Sequence, residues 1–227
     1  MSRDMEPTWR SPNFNGREGT AIDMLVLHYT GMNSCTDALE RLCDPEAKVS
    51  AHYLIDEDGT VHRLVEEAAR AWHAGVASWR GESNINSRSV GIELVNPGHE
   101  WSYRDFPDAQ MRALVPLAKE IVTRHGIAAR NVVGHADVAP ARKQDPGEKF
   151  DWAMLAEAGV GLWPDTEHLP APCGIGEVSA LLSRIGYDVT DESAAVTAFQ
   201  RHFRPSRVDG AADGETRRAI AAVAALI

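Results

Sequence analysis

The chain has 227 residues, an apolar share of 44% and a formal net charge of −10. This length suits one full domain with a small second one. The acidic balance speaks against non-specific nucleic-acid binding, which needs a basic face. No apolar run approaches the length of a membrane-spanning helix, and the polar start, MSRDMEPTWRSPNFNGREG, has no h-region of an export signal. The expected compartment is therefore the cytoplasm, or the periplasm if a signal has been removed.

Residues 1–20 read as an extended arm carrying Pro and Gly. Ile22–Tyr29, IDMLVLHY, is a candidate buried strand, and His28 stands at its C-terminal end before Thr30-Gly31. Strand ends beside loops are where α/β folds carry their chemistry, although a core histidine bonded to backbone fits the same position. Ser34–Cys43 reads as a helix with Ala38, Leu39 and Leu42 on one face. Cys35, Cys43 and Cys173 are an odd number without regular spacing, so no disulfide framework is expected, and Cys35 and Cys43 read as buried thiols. Ser50–Val65 has hairpin chemistry about Asp58-Gly59, with His52 and His62 in structural positions.

AWHAG (Ala71–Gly75) precedes a polar loop. The Trp72-His73 pair, with Trp79, Asn84, Asn86 and Arg88 of the loop, suits contact with a sugar or peptide, since indoles offer flat faces and amides paired donors and acceptors. An ordinary loop with half-buried indoles fits equally well. Ser89–Val95, SVGIELV, is a further buried-strand candidate holding Glu93. A carboxylate there is costly unless paired or functional, and strand alternation leaves open which way it points. Asp108–His125 has apolar residues at helical spacing, a start at Pro107-Asp108 and a stop at Gly126. Pro116 should kink it or mark a tolerated break.

Val132–Gly147, VVGHADVAPARKQDPG, concentrates the chemistry. His135 and Asp145 are ligand types that zinc accepts, and Lys143 shares a side with Asp145 in an extended segment. Taken alone, the pair fits a metal site or a surface loop with an ion pair. Asp151–Ala158 reads as a short helix, and Leu162–Gly174, with three prolines, as a linker. Glu177–Ile185, Glu192–Phe203 and Glu215–Ile227 read as three helices, with Asp191 and Asp213 as caps. A unit of this size is near the lower limit for independent stability, so it should pack on the first domain. Arg201, His202, Arg204 and Arg207 form a basic run that is either a contact surface or a solvated face.

LVLHYTGM, SAHYLIDEDGTVHRLV, AWHAG, SVGIELVN and VGHADVAPARKQDPG occur in the order found in the zinc-dependent N-acetylmuramoyl-L-alanine amidases of type 2, which residues 20–155 resemble. SALLSRIGYDV and AFQRHFRP, with Asp209-Gly210 and Asp213-Gly214, resemble more weakly a three-helix peptidoglycan-binding module. The resemblance implies a mixed central β-sheet flanked by helices in residues 1–161, a linker at 162–174 and a small three-helix domain at 175–227. It implies Zn²⁺ on His28, His135 and Asp145, acid–base work by Glu93 and oxyanion stabilisation by Lys143. It implies peptidoglycan or soluble anhydro-muropeptides as partners. Some phage members carry a catalytic Tyr where this chain has Ala51, so that route is closed here. A non-catalytic recognition protein and a zinc peptidase acting on the stem peptide are the alternatives. The sequence leaves the oligomeric state open.

Overall fold

The computed structural model describes residues 9–227; the first part of the expected N-terminal arm lies outside them. Five strands form the central sheet: β2 (Met24–Tyr29), β3 (Tyr53–Ile55), β4 (Val61–Arg63), β6 (Ser89–Leu94) and β7 (Val132–Gly134). Their order is β4-β3-β6-β2-β7. β3, β6, β2 and β7 run parallel, and β4 pairs antiparallel with β3 through the Asp58-Gly59 turn. A separate two-stranded ribbon joins β1 (Phe14–Gly16) to β5 (Ala69–Ala71). Strands this short have no periodicity to read, so the ribbon is not foreseeable from the residues alone.

Each strand of a sheet turns alternate residues to opposite faces, and here the two faces are covered differently. Leu25 and Leu27 of β2 and Val90, Ile92 and Leu94 of β6 pack with Met111, Leu114, Ala118 and Ile121 of α3 (Asp108–His125). Gly126, with φ of +64°, ends α3 in the left-handed conformation that glycine tolerates. Pro116 lies on the exposed side of α3, and the helix continues through it. The carbonyl that loses its partner there has water available.

On the other face, Met24 and Val26 join a core that includes α6 (Val178–Ile185), α7 (Glu192–Phe203) and α8 (Gly214–Ala225). Val178, Leu182, Phe199, Ile220 and Val223 share it with Ile85, Val133 and Val138. α1 (Cys35–Cys43) covers the β3 edge of the same face through Ala38, Leu39 and Leu42 against Leu54 and Leu64. Cys35 and Cys43 are half-buried rather than buried, and neither is in a disulfide. Ser34, Asp191 and Asp213 cap α1, α7 and α8 by accepting backbone N–H bonds. Residues 162–174 contain no helix or strand. Among the described residues the remaining elements are three short α-helices, α2 (Ile85–Arg88), α4 (His135–Val138) and α5 (Trp152–Glu157), and two 3-10 turns, Ala129–Asn131 and Ile175–Glu177. No helix among the described residues is long and apolar enough to cross a membrane.

Candidate active site

Between α1 and the α4 loop the second face of the sheet is left open as a cleft of about 430 Å³. Three parallel strands end at it. His28 and Glu93 are register partners on β2 and β6, and His135 directly follows Gly134, the last residue of β7. The carboxyl ends of parallel strands are the usual ligand-binding edge of α/β sheets. Alternation fixes which side chains reach the cleft. His28 lies on the Met24–Val26 side of β2, and Ser89, Gly91 and Glu93 lie on the corresponding side of β6, opposite the residues packed on α3.

His28 Nδ1, His135 Nδ1 and Asp145 Oδ2 form a triangle with edges of 3.0, 2.9 and 3.0 Å. All three residues are buried. The loop carrying Asp145 is tied to α4 by the Ala136 N–H to Asp145 carbonyl bond, 2.8 Å, and turned by Arg142 and Lys143 donating to the Ala139 carbonyl. Its far side is stapled to the segment after β6. Tyr103 donates to the Pro146 carbonyl, and the His99 ring bridges Tyr29 and Glu148.

The hydrogen bonds outside the triangle decide the protons within it. His135 Nε2 lies 3.0 Å from the Ala74 carbonyl and must donate to it. A neutral imidazole has one N–H, so His135 Nδ1 is a bare lone pair. His28 Nε2 lies 3.0 Å from His73 Nδ1. Burial and the neighbouring His135 push His28 down to about 4, and burial together with His28 holds His73 well below the usual histidine range. Both rings are therefore neutral near pH 7. Three acceptors then converge with at most one proton among them, a poor arrangement for a closed protein site and a good one for a cation. The donors, two imidazole nitrogens and a carboxylate oxygen, are of the type that binds zinc.

Glu93 lines the same cleft and keeps part of its surface open. Its Oε2 is buried with no hydrogen-bond partner among the described residues. Burial, and then the Asp145 charge, push its carboxyl well above the usual range, while Lys143 pulls the other way. Lys143 also lines the cleft, half-buried.

The other expected contacts fall elsewhere. Trp79 is buried at 2% exposure, edge-on to Tyr187 in the core shared with the C-terminal helices, and presents no face to a ligand. Asn86 is buried, its Oδ1 accepting the backbone N–H groups of His73 and Ala74. Arg88 is paired with Asp23 outside the cleft. His73 borders the cleft, but its polar atoms bond to His28 and Ser89, so they are turned away from any ligand. Tyr29, Arg41, His99 and Arg142 also line the cleft, together with Trp72 of the AWHAG pair. Only Trp72, beside His73 in AWHAG, carried a signal in the sequence.

A mixed sheet whose parallel strands end at three acceptors able to hold a metal ion, beside an unpaired carboxyl and a lysine, has the form of a hydrolase site. Residues 18–148 match the family model described as N-acetylmuramoyl-L-alanine amidase, and the chain belongs to that family of amide hydrolases. The amidase AmiD of Escherichia coli K12 is 40% identical, covering 86% of this chain and 80% of that one. The structure of AmiD from E. coli in complex with the substrate anhydro-N-acetylmuramic acid-L-Ala-D-gamma-Glu-L-Lys aligns with a TM-score of 0.82 and 36% identity, covering 93% of this chain and 96% of that chain. AmpDh3 from Pseudomonas aeruginosa aligns with a TM-score of 0.81 and 32% identity, covering 98% and 97%.

Proposed function

We propose that the cleft hydrolyses the amide between an N-acetylmuramoyl or 1,6-anhydro-N-acetylmuramoyl group and the L-alanine of a peptidoglycan stem peptide, with zinc held by His28 Nδ1, His135 Nδ1 and Asp145 Oδ2. The supporting observation is the convergence of these acceptors beside Glu93 and Lys143. Zinc bound there supplies a Lewis acid that polarises a carbonyl and makes water acidic near neutral pH.

The chain's own residues supply the rest. Glu93 takes a proton from the attacking water and passes it to the alanine nitrogen as the amide C–N bond breaks. A carboxyl raised by burial suits the task, because it is a stronger base towards the water's proton than an ordinary carboxylate and the acid so formed passes that proton to the nitrogen. Lys143 steadies the negative charge that gathers on the carbonyl oxygen. The walls formed by Trp72, Tyr29 and Arg41 offer flat and cationic surfaces to sugar and peptide.

The test is mass analysis of products after zinc-loaded protein acts separately on soluble anhydro-muropeptide and on intact sacculi. Free intact stem peptide is the expected product. Shortened peptides still attached to the muramoyl group would mean a peptidase instead. Cleavage in the soluble arm alone restricts the substrate to small muropeptides, and release from sacculi extends it to the polymer. No cleavage in either arm would overturn the proposal.

A further inference from the structure

Behind His28, on the side away from the ligand triangle, stands a second buried histidine whose partners form a chain. Ser89 Oγ lies 2.7 Å from the Ile85 carbonyl. A carbonyl only accepts, so the single hydroxyl proton goes there. Ser89 Oγ is also 3.1 Å from His73 Nε2, and with its proton committed it accepts from His73 Nε2–H. His73 Nδ1 is then a lone pair facing His28 Nε2 at 3.0 Å, so His28 carries its proton on Nε2 and bares Nδ1 to the triangle. The fold makes room for this chain. A Cβ on Gly91 would sit 2.6 to 2.7 Å from His73 ring atoms, so only glycine lets the ring lie flat on β6. Asn86 holds the backbone of His73 from below through its own buried amide oxygen.

We propose that Ser89 and His73 are positioning residues that fix the tautomer of His28, keeping its Nδ1 free of a proton for a metal ion. This rests on reading the triangle as a zinc centre. Partners beyond the first ligands commonly orient a histidine ligand, and losing one costs about 10- to 100-fold in metal affinity. Here the end of the chain is a backbone carbonyl, which cannot change its role. In Ser89→Ala the His73 Nε2–H has no acceptor. His73 can then hold its proton on Nδ1, which forces the His28 proton onto Nδ1, inside the triangle. In His73→Phe the ring shape over Gly91 is kept and both nitrogens are lost.

The experiment uses the full chain with labelled histidine nitrogens. Nitrogen–proton correlation spectra of the metal-free wild type at neutral pH should show the Nε2–H tautomer at His28, His73 and His135. Ser89→Ala should give His28 a mixture of tautomers. Zinc affinity, measured by competition with a chromophoric chelator, should fall about 10- to 100-fold in both variants, with circular dichroism and melting confirming that each is folded. A wild-type His28 or His73 with its proton on Nδ1 would overturn the relay whether or not the variants fold, as would wild-type zinc affinity in both. Failure of the wild type to bind zinc at all would instead count against the zinc centre, and the tautomer spectra would still decide the relay.

Discussion

Glu93 carries a cost that its neighbours do not relieve, since its Oε2 is buried without a partner and its carboxyl is pushed up by burial and by Asp145. An unpaired polar group of this kind weakens the fold, a cost for which the proposed proton transfer accounts. Glu93→Gln should lower turnover by about 10²- to 10⁴-fold while the thermal midpoint does not fall. Lys143→Ala should lower turnover by about 10²- to 10³-fold; turnover near wild type would remove Lys143 from the mechanism. At this scale the sequence marked candidate ligands at a strand end and in a Pro-bounded loop, and the structure brings three of them, His28, His135 and Asp145, together. The sequence misled in the loop after AWHAG. Polar composition suggested ligand contact for Trp79, Asn86 and Arg88, but composition does not say which way a side chain points. Asn86 turns inward to satisfy two backbone N–H groups, Arg88 pairs with Asp23, and Trp79 fills the shared core.

Elements explain why the cleft has one chemical face. Whether Glu93 met solvent or site was undecidable from SVGIELV alone, because both parities fit the run. It becomes decidable once α3 claims Val90, Ile92 and Leu94, since Ser89, Gly91 and Glu93 then share the opposite face. Gly91→Ala should therefore act on the site through β6. The added methyl meets the His73 ring, overpacking there costs about 1 to 3 kcal/mol, and zinc affinity should fall with stability, as chelator competition and urea unfolding would register. A second element contact sets an acid limit. Glu67 joins β3 to the end of α3, accepting from Tyr53, Arg124 and His125. Burial alone would raise its carboxyl, but these bonds outweigh burial and bring it down to about 2. Its charged form is thus favoured in the fold. The stability it gives is complete above the ordinary carboxylate range and is lost as pH falls from there towards about 2. His52 adds to the same limit higher up. Burial, then Arg17, lowers it to about 4, so its neutral form stabilises the fold above the ordinary histidine range and that contribution fades as pH falls towards about 4. Urea midpoints of the wild type should decline over both ranges, and Glu67→Gln should flatten only the lower one.

Over the whole molecule, the C-terminal helices are built into the catalytic centre. As the small size of the unit led one to expect, they pack on the first domain, for Val178, Leu182, Phe199 and Ile220 share one core with Met24, Val26 and Val133 of the sheet. The basic run, open in the sequence between a contact surface and a solvated face, has partners within the molecule. Arg204 and Arg207 pair with acidic residues of their own unit, while Arg201 reaches Gln144 in the ligand loop. His202, stacked on Trp152, donates to Asp137, two residues beyond His135. That buried carboxylate also accepts from the Gly134 N–H and the Tyr187 hydroxyl, each at 2.7 Å. The sequence could not show this, because a carboxylate in HADVAP has no mark of a partner 50 residues away. A shared core and a shared carboxylate make unfolding a single event. Calorimetry of the full chain should give one transition whose calorimetric and van't Hoff enthalpies agree. Tyr187→Phe removes a bond to a buried charged acceptor, worth about 1.5 to 3 kcal/mol, so it should lower that single transition. Because Asp137 braces the turn that starts at His135, the same variant should weaken zinc binding, although Tyr187 does not line the cleft. Two resolved transitions, with Tyr187→Phe moving only one and zinc affinity unchanged, would mean that the helices are an appended domain after all.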